Sequence, residues 1–293
     1  MKVSERSRKE KYLPLPPSVG KKYRELRKIL GSVGSGLVAL SGGVDSSLLL
    51  TVAREVLGDR LKAVIFTGPL FPEEETKAAE NICRKLRVSH VKIKSDYWQT
   101  EEFRKNTPDR CYHCKLAMFS RLKKMAEDFG LAEVLEGSNL DDDLDYRPGQ
   151  RALKQLGIRS PLYEAGFRKK EIRLLARHLG LPNWDRPSRA CLASRIPHYQ
   201  PVELEKLKRI ARAENFLARA GFSQVRVRDH DQVARIEIMP AEFERFLSES
   251  LISRVSNYLH KLGWKFVALD LDGYRTGSLN PQEKKRKINN KQN

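Results

Sequence analysis

The feature that most limits what this 293-residue chain can fold into is the heptapeptide Ser41-Gly42-Gly43-Val44-Asp45-Ser46-Ser47, set between the apolar run GLVAL and the helical pattern SLLLTVAREVL. A strand that breaks at two glycines and restarts as a helix leaves backbone N–H groups at the helix N-terminus. There the partial positive charge and the serine hydroxyls suit a phosphate. No lysine follows the second glycine, so this is not the G-x-x-x-x-G-K-[ST] loop. A carboxylate within such a cradle repels a phosphate unless a divalent ion lies between them. Asp45 is therefore expected to hold Mg²⁺, with Ser41, Gly42, Gly43, Ser46 and Ser47 around the phosphates.

The flanking pattern fits that placement. From Leu37 to Gly137 short apolar runs (GLVAL, LKAVIFT, VSHVKIK, EVLEG) alternate with helical stretches, which predicts an α/β fold with a doubly wound parallel sheet. Ligands on such sheets lie at the carboxyl ends of the strands. Gly137, Ser138 and Asn139 follow the fourth run and are expected to contact the nucleotide. Asp141, Asp142 and Asp143 come next; they suit a metal, or equally a solvated turn.

Residues 183–200 lack a period and carry Pro187 and Pro197 after the helix stop at Pro182, so they read as a linker. A long amphipathic helix, two alternating strands, further helical patterns and the strand KFVALDLDG then predict a smaller α+β domain. The expected limits are a basic arm and helix at 1–30, the loop-bearing domain at 31–182, the linker at 183–200, the α+β domain at 201–279 and a basic disordered tail at 280–293.

The formal net charge of +19 invites a nucleic-acid reading. Its distribution weighs against one. Residues 1–28 hold ten Lys or Arg against three Glu, and residues 275–293 hold six against one, so most of the excess sits at the two ends. No apolar run approaches the ~20 residues that span a bilayer, and the N-terminus lacks the apolar centre of a secretion signal. The expected setting is the cytoplasm, away from membranes.

Four cysteines in a chain of this length suggest thiol or metal chemistry rather than a disulfide scaffold. Cys83 falls on an apolar helix face and reads as core. Cys111 and Cys114 open a helix in DRCYHCK beside Arg110 and Lys115. Cys191 lies in the linker between Arg189 and Arg195. Positive surroundings favour thiolates, which serve as ligands or nucleophiles. Four uses stay open: a zinc site with His113 as fourth ligand, a redox C-x-x-C pair, a [4Fe–4S] cluster with one iron lacking a protein ligand, or Cys191 acting alone.

SGGVDSS resembles the signature of the PP-loop ATP pyrophosphatases, whose members adenylate an oxygen, release pyrophosphate and let a nucleophile displace AMP. Together with DRCYHCK, EGSNLDD, RPGQRAL, SPL, LGLPNWDRP, ACLASRIPH, VRVRDHDQVARIE and DLDGYRTGSLN, the chain resembles the LarE family from Ser41 to Asn280. That resemblance implies an ATP-dependent sulfur transferase that makes the pyridinium thiocarboxylates of the nickel-pincer nucleotide, the cofactor of lactate racemase. Its substrate would be a pyridine-3,5-dicarboxylate mononucleotide. A nickel-inserting protein downstream and a homo-oligomer are further implied.

In one branch of the family a cysteine matching Cys191 gives up its own sulfur, whereas another branch holds a cluster on three cysteines. With Cys111, Cys114 and Cys191 all present, the chain resembles the cluster branch. The resemblance also makes Glu214 a candidate for the catalytic pocket and Glu237 a candidate metal or phosphate-site residue. Trp98 is where the family places an aromatic near the substrate, and a pyridinium ring would stack on its indole.

Read from the residues themselves, Arg226 and Arg228 alternate on one face of a strand, as an anion clamp requires, and Arg235 and Glu237 do so on the next. Arg226 and Arg228 are expected at the substrate phosphate. Ser194 and Arg195 share the linker with Cys191, and Arg195 is placed to neutralise charge developing on an acyl adenylate. An RNA-thiolating PP-loop enzyme would use the same activation on a base carbonyl and is the alternative.

Overall fold

The first sheet has four parallel strands, β1 (Gly36–Ala39), β2 (Leu61–Thr67), β3 (Ser89–Lys94) and β4 (Glu133–Leu135), in the order β3-β2-β1-β4. The computed structural model describes residues 14–144, 148–187, 190–275 and 277–279. The basic arm at 1–13, the tail at 280–293 and Arg189 lie outside the described residues.

Alternation along each strand gives the sheet two apolar faces. Val38, Ala63 and Ile65 face one core layer with Leu26 and Leu30 of α1 (Pro17–Val33), Leu49 and Val52 of α2 (Val44–Leu57), Ile82 and Cys83 of α3 (Glu73–Leu86), and Ile172 and Leu175 of a later helix, Lys169–His178. Leu37, Val64, Ile93 and Val134 face the other, against Phe119, Leu122 and Ala126 of the helix Arg110–Asp128. This is the expected doubly wound arrangement, and it puts the loop after β1 at the carboxyl edge of the sheet.

Two glycines there are dictated by space. Gly42 has φ +83°, and a Cβ on it would come within 2.3 Å of the Glu75 carbonyl; on Gly137 it would come within 2.9 Å of the Ser46 amide nitrogen. The loop after β4 can thus close on the start of α2 only because residue 137 has no side chain.

The C-terminal region has its own small sheet. Antiparallel strands β5 (Arg226–His230) and β6 (Val233–Glu237) are followed by β7 (Phe266–Leu269), which runs parallel to β6. The helix Leu204–Arg219 buries Leu207, Ile210, Ala213 and Leu217, the i, i+3, i+6 and i+10 positions of one face. This core also takes Leu70 and Phe103, which come from loops and a short helix after β2 and β3, and Leu192 and Ile196 from the linker. The linker folds as a 3₁₀ turn, Leu192–Arg195, with the Leu192 amide donating to the Leu70 carbonyl at 3.2 Å. No helix among the described residues is long and apolar enough to cross a membrane.

Candidate functional site

Side chains close the phosphate loop on itself. Ser46 Oγ meets the Ser41 amide at 3.2 Å and the Ser41 hydroxyl at 3.0 Å, and Ser47 Oγ donates to the Gly43 carbonyl at 2.7 Å. Asn183 supports the loop from behind: its buried Nδ2 donates to the Gly42 carbonyl at 2.9 Å and to Ser47 Oγ at 3.0 Å. Neither pattern nor spacing pointed to Asn183, because it lies over a hundred residues from its partners in sequence.

Asp45 sits in the first turn of α2. Lys169 Nζ donates to its Oδ2 at 2.6 Å, while Oδ1 is buried without a hydrogen-bond partner among the described residues. Burial raises the Asp45 carboxyl above its ordinary range, and Lys169 opposes that rise. A buried carboxylate oxygen of this kind has the hardness a divalent ion prefers. Lys169 was also missed in the sequence; the only local signal was a basic residue at the start of a helix.

On the neighbouring strand end, Asn139 is 2 % exposed, and its Oδ1 accepts from the Asp141 amide at 3.0 Å. Glu136, another buried residue unmarked in sequence, accepts from the Ser138 amide and hydroxyl and from the Ser160 hydroxyl. The three aspartates are occupied structurally. Asp141 accepts from the Lys169 amide and from Arg168, Asp142 from the Asn139 amide and Asp143 from the Tyr163 hydroxyl.

A second cluster lies where the C-terminal sheet meets the Cys191 turn. Arg195 is fully buried and forks onto Glu214 at 2.8 and 2.9 Å; its Nη1 donates to the Ala190 and Cys191 carbonyls at 2.7 and 3.1 Å. Burial pushes the Glu214 carboxyl up, but Arg195, Arg226 and the Val227 amide together hold it below its usual value. Burial likewise disfavours charge on Arg195, and Glu214 outweighs it. Arg228 forks onto Glu237 at 3.0 and 2.8 Å and donates to the Ser194 carbonyl at 2.9 Å.

Arg226 and Arg228 are buried rather than half-exposed on the strand. The Arg228 fork faces Glu237 and the Ser278 hydroxyl. Arg226 lies 5.2 Å from the Tyr274 ring centroid, and burial followed by the charge of Arg195 brings its pKa down to about 10. The charge of Glu214 opposes that fall. Trp98 is half-buried on a 3₁₀ turn, Tyr97–Gln99, and packs against the C-terminal core with Cys114 and Cys191.

Cys83 is core, as its helix face suggests, whereas at Cys114 and Cys191 burial outweighs the positive surroundings expected to favour thiolates. Cys83 is fully buried in the first core, where burial lifts its thiol to about 12. Cys111 is exposed on the first turn of the helix Arg110–Asp128, Cys114 is half-buried one turn on, and Cys191 precedes the linker turn. Burial and then the nearby Cys191 and Cys111 push the Cys114 thiol up to about 12; burial also raises that of Cys191, against Arg110. Cys114 and Cys191 pack against the same C-terminal core. Among the described residues, no group of three or more His, Cys, Asp or Glu side chains is arranged to hold a metal ion.

Comparison with known proteins follows the same lines. The family model for NAD synthase matches residues 24–123, which span the phosphate loop and the first three strands. The chain is 39% identical to the pyridinium-3,5-bisthiocarboxylic acid mononucleotide synthase of Lactiplantibacillus plantarum, covering 83% of this chain and 88% of that protein. It is 38% identical to an uncharacterized protein of Synechocystis, covering 88% and 97% of the two chains. A probable tRNA sulfurtransferase of Methanothermobacter thermautotrophicus is 24% identical over 51% of this chain and 41% of its own.

Proposed function

The chain belongs to the LarE family of PP-loop ATP pyrophosphatases and is an ATP-dependent sulfurtransferase, and from that premise we propose that it replaces carboxylate oxygen by sulfur on a pyridinium-3,5-dicarboxylate mononucleotide. The observation that carries this reading is the attachment of the buried arginine cluster to the cysteine turn: Arg195 bonds the Cys191 carbonyl at 3.1 Å and Arg228 the Ser194 carbonyl at 2.9 Å. A phosphate drawn to Arg226 and Arg228 would lie beside Cys191.

In the first half-reaction a substrate carboxylate oxygen attacks the α-phosphorus of ATP. The bond to the bridging oxygen breaks, and pyrophosphate leaves. The amides of Gly42 and Gly43 and the hydroxyls of Ser41, Ser46 and Ser47 hold the phosphates, with Gly137 and Asn139 closing the nucleotide side. Asp45 would hold Mg²⁺, which would supply neutralising charge at the phosphates. In the second half-reaction a sulfur anion adds to the acyl carbon, and AMP leaves with the original carboxylate oxygen. Sulfur enters at the oxidation level of sulfide, so neither half-reaction needs an oxidant or a reductant.

Trp98 offers a face to the pyridinium ring, and Ser194 and Arg195 line the path of the acyl group. Glu214 keeps the Arg195 guanidinium in plane, and Glu237 does the same for Arg228. Cys111, Cys114 and Cys191 suit iron in number and softness, and once their sulfurs were drawn together from the arrangement described above, a [4Fe–4S] cluster on them would supply an iron position able to carry sulfide.

The test is mass spectrometry of the product after anaerobic incubation of the full-length protein, reconstituted with iron and sulfide, with ATP, Mg²⁺, sulfide and the dicarboxylate mononucleotide. Sulfur incorporated over more than one turnover supports both the reaction and the cluster. Incorporation limited to one equivalent makes Cys191 the sacrificed donor. Pyrophosphate release with RNA present, and no sulfur in the mononucleotide, overturns the proposal in favour of RNA thiolation.

A further inference from the structure

Among the described residues, Arg110 is a buried cation whose partners are neutral. Its residue is 4% exposed, its Nη1 donates to Asn106 Oδ1 and to the Ala193 carbonyl at 3.1 Å, and its guanidinium carbon lies 5.7 Å from the centroid of the Phe103 ring. Arg195 and Arg228, comparably buried, each fork onto a carboxylate. A guanidinium cannot shed its proton to escape a desolvated site, so a buried one calls for an anion.

The groups able to become that anion are sulfurs. Nη2 of Arg110 stands 4.0 Å from Cys111 Sγ, and its Nη1 holds the Ala193 carbonyl, two residues beyond Cys191, at 3.1 Å. We propose that Arg110 is the built-in counter-ion for an anionic sulfur held at Cys111, Cys114 and Cys191, and so a positioning residue of the sulfur-transfer step. That the sulfur is transferred rests on the function proposed above; the place of the charge does not.

Asn106 makes the arrangement rigid. With φ +52°, it donates from Nδ2 to the Pro197 and Gln200 carbonyls at 2.8 and 2.9 Å, and its own carbonyl accepts from the Tyr199 amide at 3.0 Å. Its Oδ1 meanwhile orients Arg110. One residue thus ties the segment after Cys191 to the helix that carries Cys111 and Cys114. Replacing Arg110 by a neutral side chain leaves these Asn106 bonds in place.

The test compares alkylation of the cluster-free, full-length protein by anionic iodoacetate and neutral iodoacetamide, with peptide mass spectrometry reading each cysteine. Both reagents attack the thiolate, so the ratio of their rates cancels its abundance and its accessibility and reports local charge. In the wild type the ratio at Cys111 and Cys114 should exceed that of glutathione under the same conditions. Arg110→Gln and Arg110→Met should lower it by about three- to tenfold, and Arg110→Lys should keep most of it.

A wild-type ratio no higher than that of glutathione overturns the proposal without any variant. So does an unchanged ratio in the Gln and Met proteins. Sulfur incorporation should fall in Arg110→Gln while ATP-dependent pyrophosphate release persists. If the wild type incorporates no sulfur at all, the proposed reaction fails, and the alkylation ratios still decide the role of Arg110.

Discussion

Lys169 Nζ lies 2.6 Å from Asp45 Oδ2 and joins the first residue of one helix to the phosphate loop at the start of another. The amide of the same residue donates to Asp141 at 2.8 Å, so its backbone is fixed while its side chain spans the nucleotide end of the sheet. If Asp45 takes up the Mg²⁺ proposed for it, a lysine so placed would pass from the carboxylate to a phosphate.

Lys169→Met should therefore slow ATP-dependent pyrophosphate release by about 10- to 100-fold, the range expected for one charge-assisted contact of about 1.5–3 kcal/mol. Lys169→Arg should retain part of the rate. A rate in Lys169→Met equal to that of the wild type would reduce the contact to a surface ion pair.

Asp45→Asn should separate stability from activity. Because burial raises the Asp45 carboxyl in the folded protein, its proton is held more tightly there than in the unfolded chain. Its contribution to stability is complete below the unfolded value of about 3.9 and declines as pH rises through the folded value. In the absence of nucleotide and Mg²⁺, Asp45→Asn should gain in Tm relative to the wild type as pH goes from 4 to about 7. It should also lose pyrophosphate release. Thermal melts across that range check the sign.

Glu214→Gln should behave in the opposite way. Its carboxyl is held below the usual range, so the stability it contributes is present above the unfolded value of about 4.3 and disappears as pH falls through the folded value. Breaking its pair with the fully buried Arg195 should cost about 3–5 kcal/mol near neutrality. Urea melts should show that gap closing in acid. A constant gap would mean that packing, rather than the charge, is what the substitution removes.

Much of the fold was legible because it depends on local pattern. The four apolar runs and the helices between them are periodic over short windows, and Ser41–Ser47 carries its geometry in its composition. The buried state of Arg226 and Arg228 was only half legible: alternation put them on one face, but only the packing of the helix Leu204–Arg219 and the Cys191 turn decides that the face is inside. Lys169, Asn183 and Glu136 escaped notice because their roles arise from partners distant in sequence. Arg110 could be read as a charge beside two cysteines, yet its lack of a carboxylate partner among the described residues is visible only in three dimensions.

The linker and the boundary it suggests carry a different lesson. Leu70 and Phe103, which come from the sheet-bearing half, sit 1% exposed within the core of the C-terminal half, and the Leu192 amide bonds the Leu70 carbonyl. The two halves are distinct in topology but not in autonomy. A fragment cut at residue 200 would surrender part of its own interior, so truncation or domain exchange at that point would leave behind an open apolar face instead of a transferable module.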